Sequence, residues 1–149
     1  TGPLNNPADR DHCLQYMTAI GLIFGHLTAA DYEDKVAADP RIDALRAKMT
    51  VVEDKQYSKD YLDPGKRSIA NAVQVFFIDG TKTDRIEVHF PIGHRRRRKE
   101  GIPVLQQKAA AAFAAHYGKS ESERLTSLFT DREKLNAMLV QDFASSFVK

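Results

Sequence analysis

The chain has 149 residues, 42% hydrophobic and 28% charged, with a formal net charge of +2, which is the balance of one soluble globular domain with a sizeable core rather than of a disordered segment. No apolar run approaches the roughly 18 residues that a membrane-spanning helix requires. A single cysteine, Cys13, excludes an internal disulfide, a cysteine-based zinc site and an iron–sulfur cluster held by this chain alone, and it fits a reducing cytoplasm.

The opening, Thr1-Gly2-Pro3-Leu4-Asn5-Asn6-Pro7, has neither an initiator Met nor the basic and apolar regions of a signal peptide, and it predicts a fragment whose N-terminal part is absent. Asp9 is a suitable N-cap for a helix through about Phe24, with Leu14, Met17, Ile20, Gly21 and Phe24 on one face. Thr28-Ala29-Ala30-Asp31 has the form of a capping box for a second helix to about Ala38. Asp39-Pro40 then opens a third, with Ile42, Leu45 and Met49 as its stripe.

Thr50 to Val52 reads as a short strand and residues 54–66 as an exposed polar loop. From Ser68, alternation at Val73, Val75 and Phe77, Asp79-Gly80 at the turn, and alternation at Ile86, Val88 and Phe90 predict a hairpin. An arginine-rich loop follows it. Residues 94–100 carry five positive charges and one negative, so the rest of the chain is net −2. Helices are expected from Val104 to about Tyr117, with Gly118 as the stop, from Ser120 to Phe129, and from Asp131 to about Phe147, with Leu125, Leu128, Leu135, Met138 and Leu139 in the core. The expected fold is α+β: a small antiparallel sheet of about three strands packed with helices and flanked by N- and C-terminal helices.

Two segments attract chemical interest. At the first helix start, Arg10, His12, Gln15 and Tyr16 crowd together, and His12 and Tyr16 share a face. A helix N-terminus attracts carboxylates and should hold His12 neutral, as a base or hydrogen-bond donor. The competing reading makes His12 a capping or packing residue and ties the Tyr16 hydroxyl to backbone. In the second segment, Arg95 to Lys99, the choice lies between a solvated loop and an anion site. Nucleic-acid binding expects stacking aromatics or a reading helix, which the run lacks, whereas a small polycarboxylate needs only one or two arginines in fork geometry. The five histidines show no metal-ligand spacing, and neither a Gly-rich phosphate loop nor a GxSxG elbow is present.

The stretch Gly2-Pro3-Leu4-Asn5-Asn6-Pro7-Ala8-Asp9-Arg10-Asp11-His12-Cys13 with Gln15-Tyr16-Met17, then Leu27 to Asp34, Arg41 to Arg46, and Pro91-Ile92-Gly93-His94 with Arg96-Arg97 and Gly101-Ile102-Pro103 resembles the C-terminal part of the MmgE/PrpD family. The likeness is specific to about Lys108 and looser beyond it. It implies a hydro-lyase of the methylcitrate route of propionate catabolism, converting 2-methylcitrate to 2-methyl-cis-aconitate without an iron–sulfur cluster or other cofactor. By the same resemblance, residues 1–149 form a single lid-like C-terminal domain, inactive alone, whose missing partner is a larger N-terminal helical domain. His12, then Tyr16, are the expected catalytic groups; Arg10, Gln15, His94, Arg95, Arg96 and Arg97 are the expected contacts to a small tricarboxylate. No membrane or metal is expected, nucleic acid is disfavoured, and a homo-oligomer is permitted. The alternative is a non-enzymatic anion- or RNA-binding α+β module using Arg95–Lys99.

Overall fold

A computed structural model describes residues 2–148, which divide into two compact units, residues 1–54 and 55–149. In the first unit, α1 (Pro7–Asp11) begins three residues earlier than expected, because Asn6 rather than Asp9 is its cap. The Asn6 side chain accepts from the Asp9 N–H at 3.0 Å, and Asp9 reaches back to the Asn5 N–H at 2.9 Å, satisfying donors at the helix start from both directions. Helix α1 ends after one and a half turns, where Cys13 adopts extended backbone, and α2 (Leu14–Phe24) starts afresh. Gly25, at φ 73, closes α2 in the left-handed conformation that glycine adopts readily.

The Thr28–Asp31 box opens a 3-10 turn (Ala29–Tyr32) rather than one long helix. It is followed by α3 (Asp34–Ala37) and by α4 (Pro40–Arg46), which Asp39 caps as expected. Helices α2 and α4 pack together. Tyr16, Ala19, Ile20 and Ile42 form their buried centre, while Leu14, expected inside, is exposed. Thr50 to Val52 is not a strand: Val52 is 80% exposed, and among the described residues no neighbouring segment pairs with it in a sheet.

The second unit begins with α5 (Lys55–Leu62), a helix where a polar loop was expected. Its polar face holds its own i,i+4 contact, Gln56 to Asp60 at 2.7 Å, and Lys66 folds back onto Asp60 at 2.7 Å. The hairpin is present but short, with β1 (Asn71–Val73) antiparallel to β2 (Ile86–Val88) in the register Ala72 to Glu87. An isolated Phe76–Lys82 bridge leads to a turn with Gly80 at φ 85. The sheet described therefore has two strands where about three were expected, and the fold is α+β.

The arginine segment is not a loop. A 3-10 turn (Arg95–Arg97) runs directly into α6 (Arg98–His116), because arginine and lysine are good helix formers and His94 supplies the cap. Pro103 lies inside this helix and withholds only the N–H that would have met the Lys99 carbonyl. Gly101 is required by close approach: a Cβ there would stand 2.3 Å from the Ile92 carbonyl oxygen. Helix α6 packs on α7 (Lys119–Thr130), followed by α8 (Arg132–Ala137) and α9 (Val140–Ser145). Gly118 precedes α7 as its N-cap, and Leu139 is exposed at the break between α8 and α9. Leu125 and Leu128 are buried as expected, and Phe113, Phe129, Phe143 and Phe147 stack beside one another with centroids 5.1–6.3 Å apart.

Candidate functional site

Each unit presents an open cleft. The first, of about 520 Å³, lies where α1 gives way to α2 and is lined by Gly2 to Leu4, Ala8, Asp9, residues 12–15, Arg46 and Val51. His12 is the exposed titratable group at the junction. Its Nδ1–H donates to the Ala8 carbonyl at 3.1 Å and to Asp11 Oδ1 at 2.5 Å, which leaves Nε2 unpartnered among the described residues.

These contacts reverse the expectation for its charge. The Ala8 carbonyl first, and then the hydrogen bond and charge of Asp11, raise the His12 pKa above its ordinary 6.5. The physical reason is position: His12 is the C-cap of α1, where carbonyls are in excess, rather than a first-turn residue where N–H groups are. The shift is toward imidazolium. Helix α2 has no side-chain cap of its own, and its first residues, Leu14 and Gln15, line the same cleft. The Gln15 amide also donates to the Met49 carbonyl at 3.4 Å.

Two expected site residues have local partners instead. Arg10 is 5% exposed, donates to the Tyr32 carbonyl at 2.6 Å and pairs with Asp34 at 2.7 Å. Tyr16 is 2% exposed and its hydroxyl donates to the Asp31 carbonyl at 2.6 Å; burial raises its pKa further. In this geometry both brace the 3-10 turn beneath α2, and neither lines the cleft. Arg46, which sequence reasoning passed over, does line it: buried to 8% exposure, it donates to Asp43 at 2.5 Å and to the Gly2 carbonyl at 3.2 Å. The signal was the Asp43–Arg46 spacing of three beside the Ile42–Leu45 stripe of α4.

The second cleft, about 380 Å³, is lined by Arg67, Ile69, Pro91, Gly93, His94 and Arg95. His94 uses both ring nitrogens. Nδ1 accepts from the Arg96 N–H at 3.1 Å, so the proton is on Nε2, which donates to the Arg67 carbonyl at 3.0 Å. The ring also lies 4.6 Å from that of Phe90, over which Arg96 stacks at 4.8 Å.

The arginines differ in their commitments. Arg95 donates to the Pro64 carbonyl at 3.2 Å and Arg96 to that of Gly65 at 2.7 Å, while Arg97 is held by Glu100 at 2.7 Å and by the Phe90 carbonyl at 3.0 Å. The solvated-loop reading therefore does not hold for these three arginines, each of which spends at least one guanidinium N–H within the second unit. Only His94 and Arg95 of this group line the cleft; Arg96 and Arg97 do not. Arg67 is the residue the sequence reading missed, and the preceding Asp63-Pro64-Gly65 turn was its only signal.

Comparison with known proteins gives these clefts a context. The family model described as MmgE/PrpD C-terminal domain matches residues 1–134. The 2-methylcitrate dehydratase of Cupriavidus necator is 51% identical over 98% of the chain, and that of Escherichia coli (strain K12) 51% over 99%, in each case covering 30% of the relative. The mitochondrial 2-methylcitrate dehydratase of Yarrowia lipolytica is 49% identical over 99% of the chain and 28% of its own length. The chain thus spans about 30% of the length of the curated relatives it matches.

Proposed function

Because this chain belongs to the MmgE/PrpD family as its C-terminal domain, we propose that it is the lid-like part of a hydro-lyase that dehydrates 2-methylcitrate to 2-methyl-cis-aconitate in propionate catabolism. The observation that carries the proposal is the extent of the likeness, about half of all residues identical to 2-methylcitrate dehydratases along 98–99% of the chain. A larger N-terminal helical domain completes the protein in this reading, and the cytoplasm is its compartment, with no iron–sulfur cluster involved.

The reaction removes a proton α to a carboxylate and expels hydroxide as water, so it needs a base, an acid and cations to hold three carboxylates. Within this chain His12 suits the acid. Asp11 fixes its Nδ1–H and favours imidazolium, leaving Nε2–H to protonate the departing hydroxyl. Gln15 serves as a neutral donor in the same cleft, and Arg95 holds substrate carboxylate. Arg10 and Tyr16 support the first unit, and Arg96 and Arg97 the second, from within their hydrogen-bond networks. The base is assigned to the part of the protein outside this chain.

Steady-state kinetics of the full-length His12→Ala variant test the assignment. Loss of a general acid lowers kcat by about 10²-fold or more, whereas unchanged kinetics in a folded variant would remove His12 from the mechanism. The 149-residue chain assayed by itself is expected to lack dehydratase activity, and turnover by it would contradict the division of the site.

A further inference from the structure

We infer that Arg67 and Arg95 form a two-arginine carboxylate clamp across the second cleft, set in position by His94, which acts as a positioning residue rather than as a substrate contact. The proposal rests on the reading that the protein binds a small polycarboxylate, and it assigns a binding role to a residue outside the arginine run.

Three independent features converge on Arg67. It is the one non-glycine residue with positive φ among those described, at 50°, an uncommon conformation that places its side chain beside the cleft. Its backbone is held there from both sides: its N–H donates to the Asp63 carbonyl at 2.8 Å, and its carbonyl accepts from His94 Nε2 at 3.0 Å. Its guanidinium, unlike those of Arg95, Arg96 and Arg97, has no hydrogen-bond or ion-pair partner among the described residues. A cation held by its backbone yet left without a counter-charge, on the wall of an otherwise mostly apolar cleft, is arranged for an anion that arrives from outside.

Arg95 lines the same cleft and spends one N–H on the Pro64 carbonyl, which leaves other guanidinium donors for a ligand. His94 joins the two segments. One ring nitrogen caps the turn that carries Arg95, and the other grips the carbonyl of Arg67. Since both nitrogens are engaged, the imidazole has no donor to give to substrate.

The test uses the full-length protein and two readouts, steady-state kinetics on 2-methylcitrate and calorimetric binding of citrate. Arg67→Asn is the principal variant, because asparagine tolerates the left-handed backbone while removing the charge. Loss of a charge-assisted contact is expected to raise KM for 2-methylcitrate, and to weaken citrate binding, by about 10-fold or more. Arg67→Lys should recover only part of the loss, and Arg98→Asn, which removes one charge from the same run outside the cleft, should change neither readout. His94→Asn should raise KM while leaving kcat within about threefold, since it disturbs placement rather than chemistry.

Wild-type citrate affinity and KM in Arg67→Asn would overturn the clamp while leaving the dehydratase reading intact. A protein that binds citrate in an Arg67-dependent manner without turning over 2-methylcitrate would support the clamp and remove that reading. Equal losses in Arg67→Asn and Arg98→Asn would reduce the effect to general electrostatics and overturn the clamp as well.

Discussion

Replacing Gly101 by alanine sets two effects of known sign against each other. In a helix interior the added methyl is worth about 1 kcal/mol in favour of alanine. The same methyl would stand 2.3 Å from the Ile92 carbonyl oxygen and 3.4 Å from its carbon, and the neighbour is backbone, which cannot rotate away as a side chain would. Overpacking costs about 1–3 kcal/mol, and a contact this short against backbone belongs to the upper part of that range, about 2–3 kcal/mol, so after the gain of about 1 kcal/mol the net change is a loss of about 1–2 kcal/mol. Relief requires Ile92 to move by about an ångström, and Ile92 is two residues from His94, so the displacement reaches the second cleft. In the full-length protein the unit of residues 55–149 should therefore melt several degrees lower in the variant, at about 4–8 °C per kcal/mol for a unit of that size, and KM should be raised. Gly118→Ala is the control without a clash: no atom lies within 4 Å of where its Cβ would stand, so any loss is the modest N-cap preference for glycine over alanine, about 0.5–1 kcal/mol, and KM should not change. Unchanged melting and KM in Gly101→Ala would refute the close approach.

Tyr16→Phe removes a buried donor to the Asp31 carbonyl and should cost about 1–2 kcal/mol of stability while leaving kcat within tenfold; a fall of about 10²-fold in kcat at unchanged stability would instead give Tyr16 a direct chemical role. If imidazolium at His12 is the acid, kcat/KM should decline as pH rises through a value above 6.5, and His12→Asn should flatten that limb; a limb that persists in the variant belongs to another group. Hydrogen bonds from Thr28, its backbone N–H foremost, hold the Asp31 carboxyl below its ordinary 3.8. The stability this contributes is full above 3.8 and is lost as pH falls through the lower folded value. Wild type and Asp31→Asn should accordingly differ in urea midpoint at pH 7 and converge in acid; a pH-independent gap would contradict the linkage.

What could be read from the sequence was what depends on neighbours in the chain. The Asp39-Pro40 cap, the Asp79-Gly80 turn and the Leu125–Leu128 stripe all act within a few residues, and all appear where they were expected, whereas the alternation about the turn yields strands only at 71–73 and 86–88, with Val73, Ile86 and Val88 exposed. The misreadings arose where a distant or finer contact decides. Asn6 displaced Asp9 as cap, which moved His12 from the positive to the negative end of a helix and reversed the sign of its pKa shift. The polar composition of residues 55–62 concealed α5, in which only Tyr57 and Tyr61 carry a helical spacing and no residue is buried; the Tyr57 hydroxyl donates to Glu87, on β2. The arginine run looked like a loop because Gly101 and Pro103 resemble breakers, yet one admits the Ile92 carbonyl and the other leaves a single bond unmade. Arg67 carries no motif, and its importance comes from a backbone angle and a histidine 27 residues away.

Arg95 and Arg96 each tie a guanidinium N–H to a carbonyl of the Pro64-Gly65 turn. A long arginine side chain free in water samples many rotamers, and immobilising such a side chain on binding costs about 0.5–1.5 kcal/mol. Here that ordering is completed when the turn folds, before any anion arrives. An anion entering the cleft meets at Arg95 a cation whose orientation is already fixed, so its association should carry little entropic penalty from that side chain, and the affinity of the cleft is set as much by the stability of a neighbouring turn as by the charges that face the ligand.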